Sequence, residues 1–232
     1  QGQEITGFGA AMTDASAHLF QNVLTRAERD ALFAELFGSQ GLGLSFVRVP
    51  IGASDFSSEH YSLADMPAGQ SDPQLTSFSM AKAQAAQIPA LQAVRAVNPN
   101  LTLMASPWSA PGWMKTTDSL IKGSLKPEYY GAYARYFVRY LDGMDAAGLP
   151  VRYVSMQNEP AFEPENYPGM RVSAAERATF FAQHLGPALA ARSNRVGILD
   201  WDHNWDHPEE PLGVLGNAAA APFVEGVAWH CY

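Results

Sequence analysis

The chain is poor in cysteine, in basic side chains and in long apolar runs. One cysteine, Cys231, stands among 232 residues, so no intrachain disulfide can form and a zinc site built from several cysteines is excluded. Lys and Arg number 15 against 23 Asp and Glu, a net charge of −8. That balance argues against a surface made for phosphate backbones or anionic lipid, and no nucleic-acid partner is expected. The most apolar stretch near the end, Ala218 to Val224, is short and interrupted by Pro222, so no transmembrane segment is expected. No basic-then-apolar leader opens the chain, which leads us to expect an export signal already removed or never included. Phosphate-cradling loops of the GxGxxG and GxxxxGK[S/T] types are missing, as are GxSxG and HExxH. These gaps weaken a nucleotide-binding open sheet, serine hydrolysis and a helical zinc protease in turn.

What is present is a core-forming composition: 47% hydrophobic, 16% charged, with 16 prolines and 19 glycines scattered as if for many short connections. Apolar runs of strand length alternate with helical stretches. Strands are expected at Ile5–Met12, Leu44–Ile51, Leu101–Ala105, Val151–Met156, Val196–Trp201 and Val224–His230. Helices are expected at Thr25–Phe37, at Ser79–Val97 with an interruption at Pro89, at Pro127–Ala147, from the Ser173/Glu176 capping box to Leu189, and more weakly at Glu209–Ala221. In the Pro127–Ala147 helix, Tyr130, Tyr133, Ala134, Phe137, Val138 and Leu141 make the apolar face.

Such alternation predicts a parallel sheet covered by helices, in one domain over residues 1–232. Polar and aromatic residues crowd the segments that follow strands: Thr13–Asp14, Ser54–Gln74, Pro107–Leu125, Asn158–Met170 and Trp201–His207. The helix-to-strand returns, such as Gly148–Leu149–Pro150, are short and plain. A (β/α)₈ TIM barrel with its site at the strands' C-terminal ends produces that asymmetry. The pattern stops at about six βα units, so a barrel lacking its seventh and eighth strands is expected.

The sharpest chemical signal is Gln157–Asn158–Glu159–Pro160, directly after the fourth strand. Desolvation at a barrel rim raises a carboxyl pKa, which suits a general acid, and Asn158 can hydrogen-bond a sugar hydroxyl. The competing reading is a Glu at an ordinary strand–loop turn. Trp108 and Trp113 follow the third strand; flat rings suit the C–H faces of sugars, but either can instead cap the core. Asp202, His203 and His207 offer metal-ligand types, but Pro208 follows at once, and a rim of hydrogen-bonding side chains or a solvated turn accounts for them better. Cys231 has no activating neighbour in sequence.

Several segments together resemble glycoside hydrolase family 30, the family of glucosylceramidases. They are Gly7-Phe-Gly-Ala-Ala-Met-Thr-Asp14, Val47-Arg-Val-Pro50 with Ser54-Asp55-Phe56, Ala105-Ser-Pro-Trp-Ser-Ala-Pro-Gly-Trp113, Asn158-Glu-Pro160, Tyr167-Pro168 and His230-Cys-Tyr232. The resemblance implies a TIM barrel with a β-sandwich side domain, here mostly absent, hydrolysing β-glycosides with retention and without cofactor or metal. It implies Glu159 as acid/base beside Asn158, and Asp14, Trp108, Tyr167, Asn204 and Tyr232 along the sugar site. Arg48 and His230 resemble the polar residues around the nucleophile. The expected substrate is a β-glucoside or related glycan or glycolipid. A β-1,6-glucanase or β-xylosidase of the same family and a non-catalytic carbohydrate-binding barrel are the alternatives. The family's nucleophile, a Glu ending strand seven, is expected beyond Tyr232, in a C-terminal part of the same protein. The 232 residues alone are therefore expected to be inactive, and the parent protein secreted or extracytoplasmic.

Overall fold

The computed structural model describes residue 2 and residues 4–232. Its frame is one curled six-stranded sheet in the order β1 (Gly9–Ala11), β2 (Phe46–Pro50), β3 (Thr102–Ser106), β4 (Tyr153–Val154), β5 (Gly197–Asn204) and β6 (Val224–His230), with every neighbouring pair parallel. Consecutive parallel strands need a crossover, and helices supply it: α2 (Arg26–Phe37), α3 (Ala81–Ala85) with α4 (Gln87–Val97), α5 (Tyr130–Ala146), α6 (Ala174–Phe180) with α7 (Gly186–Ala190), and α8 (Glu209–Leu215).

Local chemistry sets several of these boundaries. Ser173 and Glu176 form the predicted capping box at α6, and Thr25 and Glu28 form a second at the start of α2. The expected break at Pro89 falls instead at Ala86, whose backbone leaves the helical region. Pro89 sits in the first turn of α4, where a missing N–H has no partner to lose. The helix expected from Ser173 to Leu189 does run that far, but its middle, Phe181–Leu185, is a wider π turn. It lies immediately before Gly186–Pro187, where a proline ring would press on the carbonyl four residues back. One short helix escapes the periodicity altogether: α1 (Asp14–His18), capped by the Thr13 hydroxyl.

The core lies between sheet and helices. Val47, Val49, Leu103, Ala105, Val154 and Ile198 from the strands pack in one core with Tyr133 and Phe137 from α5, Phe180 from α6 and Phe181 from the π turn that follows it. The buried face of α5 is broader than its sequence pattern predicts, because Tyr136, Tyr140 and Met144 are buried as well. The connection after β2 folds over that side: Phe78 packs edge-on to Tyr136, and the Leu63 amide donates to the Tyr136 hydroxyl at 3.1 Å. Burial on both sides of the sheet's centre contrasts with its outer strands. β1 is exposed, and β6 is half-buried for most of its length.

Candidate active site

The segments that follow β2, β3, β4 and β6 converge on a cleft of about 390 Å³ lined by Arg48, Trp108, Asn158, Glu159, Tyr167 and His230, among others. Glu159 leaves the end of β4 in a left-handed backbone conformation, φ 50°. Its amide donates to the Asp202 carbonyl at 3.0 Å, which ties it to β5. Non-glycine residues hold such a conformation only where surrounding contacts over-determine it.

The Glu159 carboxylate accepts from His230 Nδ1 at 3.0 Å and from the Tyr232 hydroxyl. The other His230 nitrogen, Nε2, lies 3.0 Å from Asp202 Oδ1. Both partners are carboxylate oxygens, so both ring nitrogens must donate, and the ring is an imidazolium. Burial works against that charge, but the hydrogen bonds to Asp202 and Glu159 outweigh it and push the His230 pKa up to about 9.

Glu159 itself departs from expectation. Desolvation does push its carboxyl upward, but hydrogen bonds from His230 and Tyr232 and the nearby histidine charge reverse the balance and hold it below the usual range. The resting site therefore presents a carboxylate rather than a waiting acid.

Asp202 is the hub beneath this pair. Fully buried, its Oδ2 accepts from Arg48 Nη2 at 2.7 Å, from Ser155 Oγ at 2.6 Å and from Ser106 Oγ. Burial alone would raise the Asp202 carboxyl; the Arg48 charge and the His230 hydrogen bond override it and hold the group far below the carboxylate range. Arg48 Nη2 also donates to Asn158 Oδ1 at 2.8 Å, and its guanidinium lies 4.7 Å from the Trp108 ring centroid. Three strands thus lock Arg48, Asn158 and Asp202 into one network, with Glu159 and His230 above it.

Two residues expected at the sugar site are not among those lining this cleft. Asp14 does not line the cleft: as the first residue of α1 it turns its carboxylate to the Ser57 and Tyr61 hydroxyls, at 2.5 and 2.9 Å. Asp55 and Phe56, from the connection after β2, line the cleft and also the adjoining hollow that Asp14 lines. Asn204 ends β5 outside the cleft lining; its carbonyl accepts from Trp201 Nε1 at 2.7 Å, and its Oδ1 is buried without a partner. Of the tryptophan pair, Trp113 is core, its indole N–H donating to the Ala64 carbonyl at 2.8 Å, whereas Trp108 lines the cleft. The metal reading of Asp202, His203 and His207 does not assemble, since His207 is exposed and pairs with Glu209 while Asp202 is committed to Arg48. A different trio, Glu159, His203 and His230, has donor atoms within 4.8 Å of one another, but Glu159 and His230 already satisfy each other.

The glycosyl hydrolase family 30 TIM-barrel profile matches residues 5–232. The chain belongs to that family. It is 36% identical to an endo-1,6-beta-D-glucanase of Trichoderma harzianum over 99% of its own length and 49% of the relative's. It is 34% identical to the mouse lysosomal acid glucosylceramidase, over 99% of this chain and 46% of that one. A solved endo-beta1,6-glucanase superposes with a TM-score of 0.93 at 31% identity, covering 100% of this chain and 53% of the other. The chain spans about half the length of the curated relatives it matches.

Within this family 30 chain, Asp202 is the site residue that sequence reasoning missed. Its short motif read as a metal-type cluster, a rim of hydrogen-bonding side chains or a solvated turn, and no local pattern links it to Arg48, which is 154 positions away. Asp55 and Phe56 were within reach, because they follow the Arg48 strand in the Ser54-Asp55-Phe56 segment.

Proposed function

We propose that the protein is a retaining β-glycoside hydrolase acting on a β-glucosidic bond, with Glu159 as its acid/base. The observation that carries this reading is the Glu159 carboxylate at the end of β4, set in the cleft by His230 and Tyr232. Retention requires a second carboxyl about 5–5.5 Å from the first. We assign that nucleophile to a strand that follows β6 in the barrel's rotation. A like charge at that distance raises the proton affinity of Glu159, opposing the pull of His230 and Tyr232. In the first step Glu159 gives its proton to the leaving oxygen as the nucleophile attacks the anomeric carbon. In the second, Glu159 takes a proton from the water that frees the sugar. Arg48, Asn158 and His230 fix the geometry, and Trp108 and Tyr167 wall the ring.

The resemblance to glucosylceramidases supports a glucosyl group on a lipid aglycone. A second reading, cleavage within β-1,6-glucan, has its own support in the 36% identity to the Trichoderma enzyme and the TM-score of 0.93 to a solved endo-beta1,6-glucanase. An extracytoplasmic site of action belongs to either reading.

The test is turnover of an aryl β-glucoside by the full gene product with and without Glu159→Gln. A good leaving group needs little acid, so glycosylation slows modestly, while deglycosylation slows by about 10²–10⁴. Azide restores turnover and yields a β-glycosyl azide. Unchanged turnover in the variant would reject the acid/base assignment. Parallel assays on glucosylceramide and β-1,6-glucan separate the two substrates.

A further inference from the structure

Lys115 is the most unusual charge in the molecule. It is completely buried, and among the described residues no carboxylate pairs with it. Its three donors are all used on neutral oxygens: Ser109 Oγ, the Leu120 carbonyl and the Gly169 carbonyl, each at 2.8 Å. Two of those acceptors lie in the connection after β3, where residues 115–125 fold back as a hairpin closed by the Lys115–Leu125 bridge. The third lies in the connection after β4. The same two connections carry Trp108, adjacent to Ser109, and Tyr167, two residues before Gly169, and both aromatics line the cleft.

We propose that Lys115 is a positioning residue that sets the gap between Trp108 and Tyr167, and so the fit of the sugar ring, by locking the two connections together. The proposal rests on the glycosidase reading for its ligand, but the lock itself is visible in the backbone. The Gly169 amide donates to the Leu120 carbonyl at 3.0 Å, and the Arg171 amide to the Gly123 carbonyl at 2.9 Å. Burial of an ammonium is costly unless each of its protons is taken, so the acceptors must hold their places while the charge persists. Burial pushes the Lys115 pKa down to about 7, with Glu163 the one charge that opposes this. Other charged groups on the two connections are engaged elsewhere: Asp118 with the Gly69 amide, Lys122 with Glu165, Arg171 with Glu163, and Lys126 with the Trp113 carbonyl. Loss of one proton leaves two donors for three acceptors, and the lock loosens.

The experiment uses the full gene product, an aryl β-glucoside, and amide hydrogen exchange over residues 119–123 and 167–171. Lys115→Met fills the space without the donors. We expect its KM to rise on the order of tenfold with kcat within about twofold, and exchange in both segments to accelerate together. A KM and exchange pattern like the wild type's overturns the proposal, as does a fall in kcat alone. If the wild type turns over no β-glucoside, the glycosidase reading fails while exchange still decides the lock. If Lys115→Met does not fold, the wild type at about pH 6 and about pH 9 replaces it. Faster exchange in both segments at the higher pH, beyond the intrinsic acceleration, supports the lock, and its absence refutes it.

Discussion

Replacing Asp202 by Asn tests the electrostatic hub with one atom. The carboxylate takes four donors: Arg48, Ser155 and Ser106 at Oδ2, and His230 at Oδ1. An amide fits only with its oxygen toward the first three and its NH₂ toward His230. That arrangement sets donor against donor unless the imidazolium gives up a proton. In the wild type, the network carries His230 from its ordinary 6.5 to about 9. At about 1.4 kcal/mol per pH unit this linkage reaches about 3 kcal/mol, and about 2 kcal/mol after discounting for the ring's contact with solvent. Because the folded pKa is raised, that stability is fully present below 6.5 and is lost as pH rises through 9. Asp202→Asn also leaves the Arg48 charge without its buried partner, a loss of about 3 kcal/mol.

The assay is urea unfolding of both proteins at about pH 6 and about pH 9.5, with unchanged m-values confirming comparable transitions. We expect the variant to be less stable by about 4–5 kcal/mol at the lower pH and by about 3 kcal/mol at the higher. Lys115, whose lowered pKa adds stability as pH rises, contributes alike to both proteins, so the His230 linkage is read as a difference: between the two pH values the wild type should lose at least about 1 kcal/mol relative to the variant. Equal drops in the two proteins would show that Asp202 does not hold the His230 proton.

Three further outcomes follow from the same structure. Arg177, buried against Asp200 at 2.8 Å and Glu210 at 3.2 Å, leaves a carboxylate stranded when changed to Met, and chemical denaturation should show a loss of about 3–5 kcal/mol. Thr25→Ala removes one half of the α2 capping box and should lower stability by about 1 kcal/mol in thermal unfolding. A Cβ on Gly9 would fall 1.4 Å from the Phe46 carbonyl oxygen, so Gly9→Ala should free β1 from β2, read as early proteolysis of the N-terminal segment while the rest resists.

The parts of the fold legible in the sequence were those written locally. Val224–His230 forms β6 with the expected bounds, because a short, largely apolar run after a proline turn has few other solutions. Ser173/Glu176 announced its helix by spacing alone. Glu159 and Trp108 were legible as cleft residues because each directly follows a strand in a parallel barrel. Asp14 met the same rule and broke it: Thr13 caps a five-residue helix, and that turn swings Asp14 toward Ser57 and Tyr61. A helix that short has no periodicity to read. The breadth of the buried face on α5 was hidden for a different reason, since what covers Tyr136 is a connection from a distant part of the chain.

Asp202 shows where periodicity misleads outright. The β3–β4 and β4–β5 registers put Ser106, Ser155 and Leu199 on one face of the sheet and Ile198 and Asp200 on the other. Alternation then assigns Asp202 to the face of Asp200, which meets Arg177 on α6. Instead, Trp201 and Asp202 both adopt left-handed backbone, φ 72° and 53°, at a register shift between Trp201 and His203. The two side chains exchange faces: Trp201 lies 5.1 Å from the Arg177 guanidinium, and Asp202 reaches Arg48, Ser106 and Ser155. A bulge re-aims a side chain in this way at the end of a barrel strand. The strain of two left-handed residues is held by the contacts it creates, including the Asp202 carbonyl that receives the Glu159 amide. One backbone irregularity in β5 therefore supplies both the carboxylate that charges His230 and the carbonyl that sets the Glu159 turn.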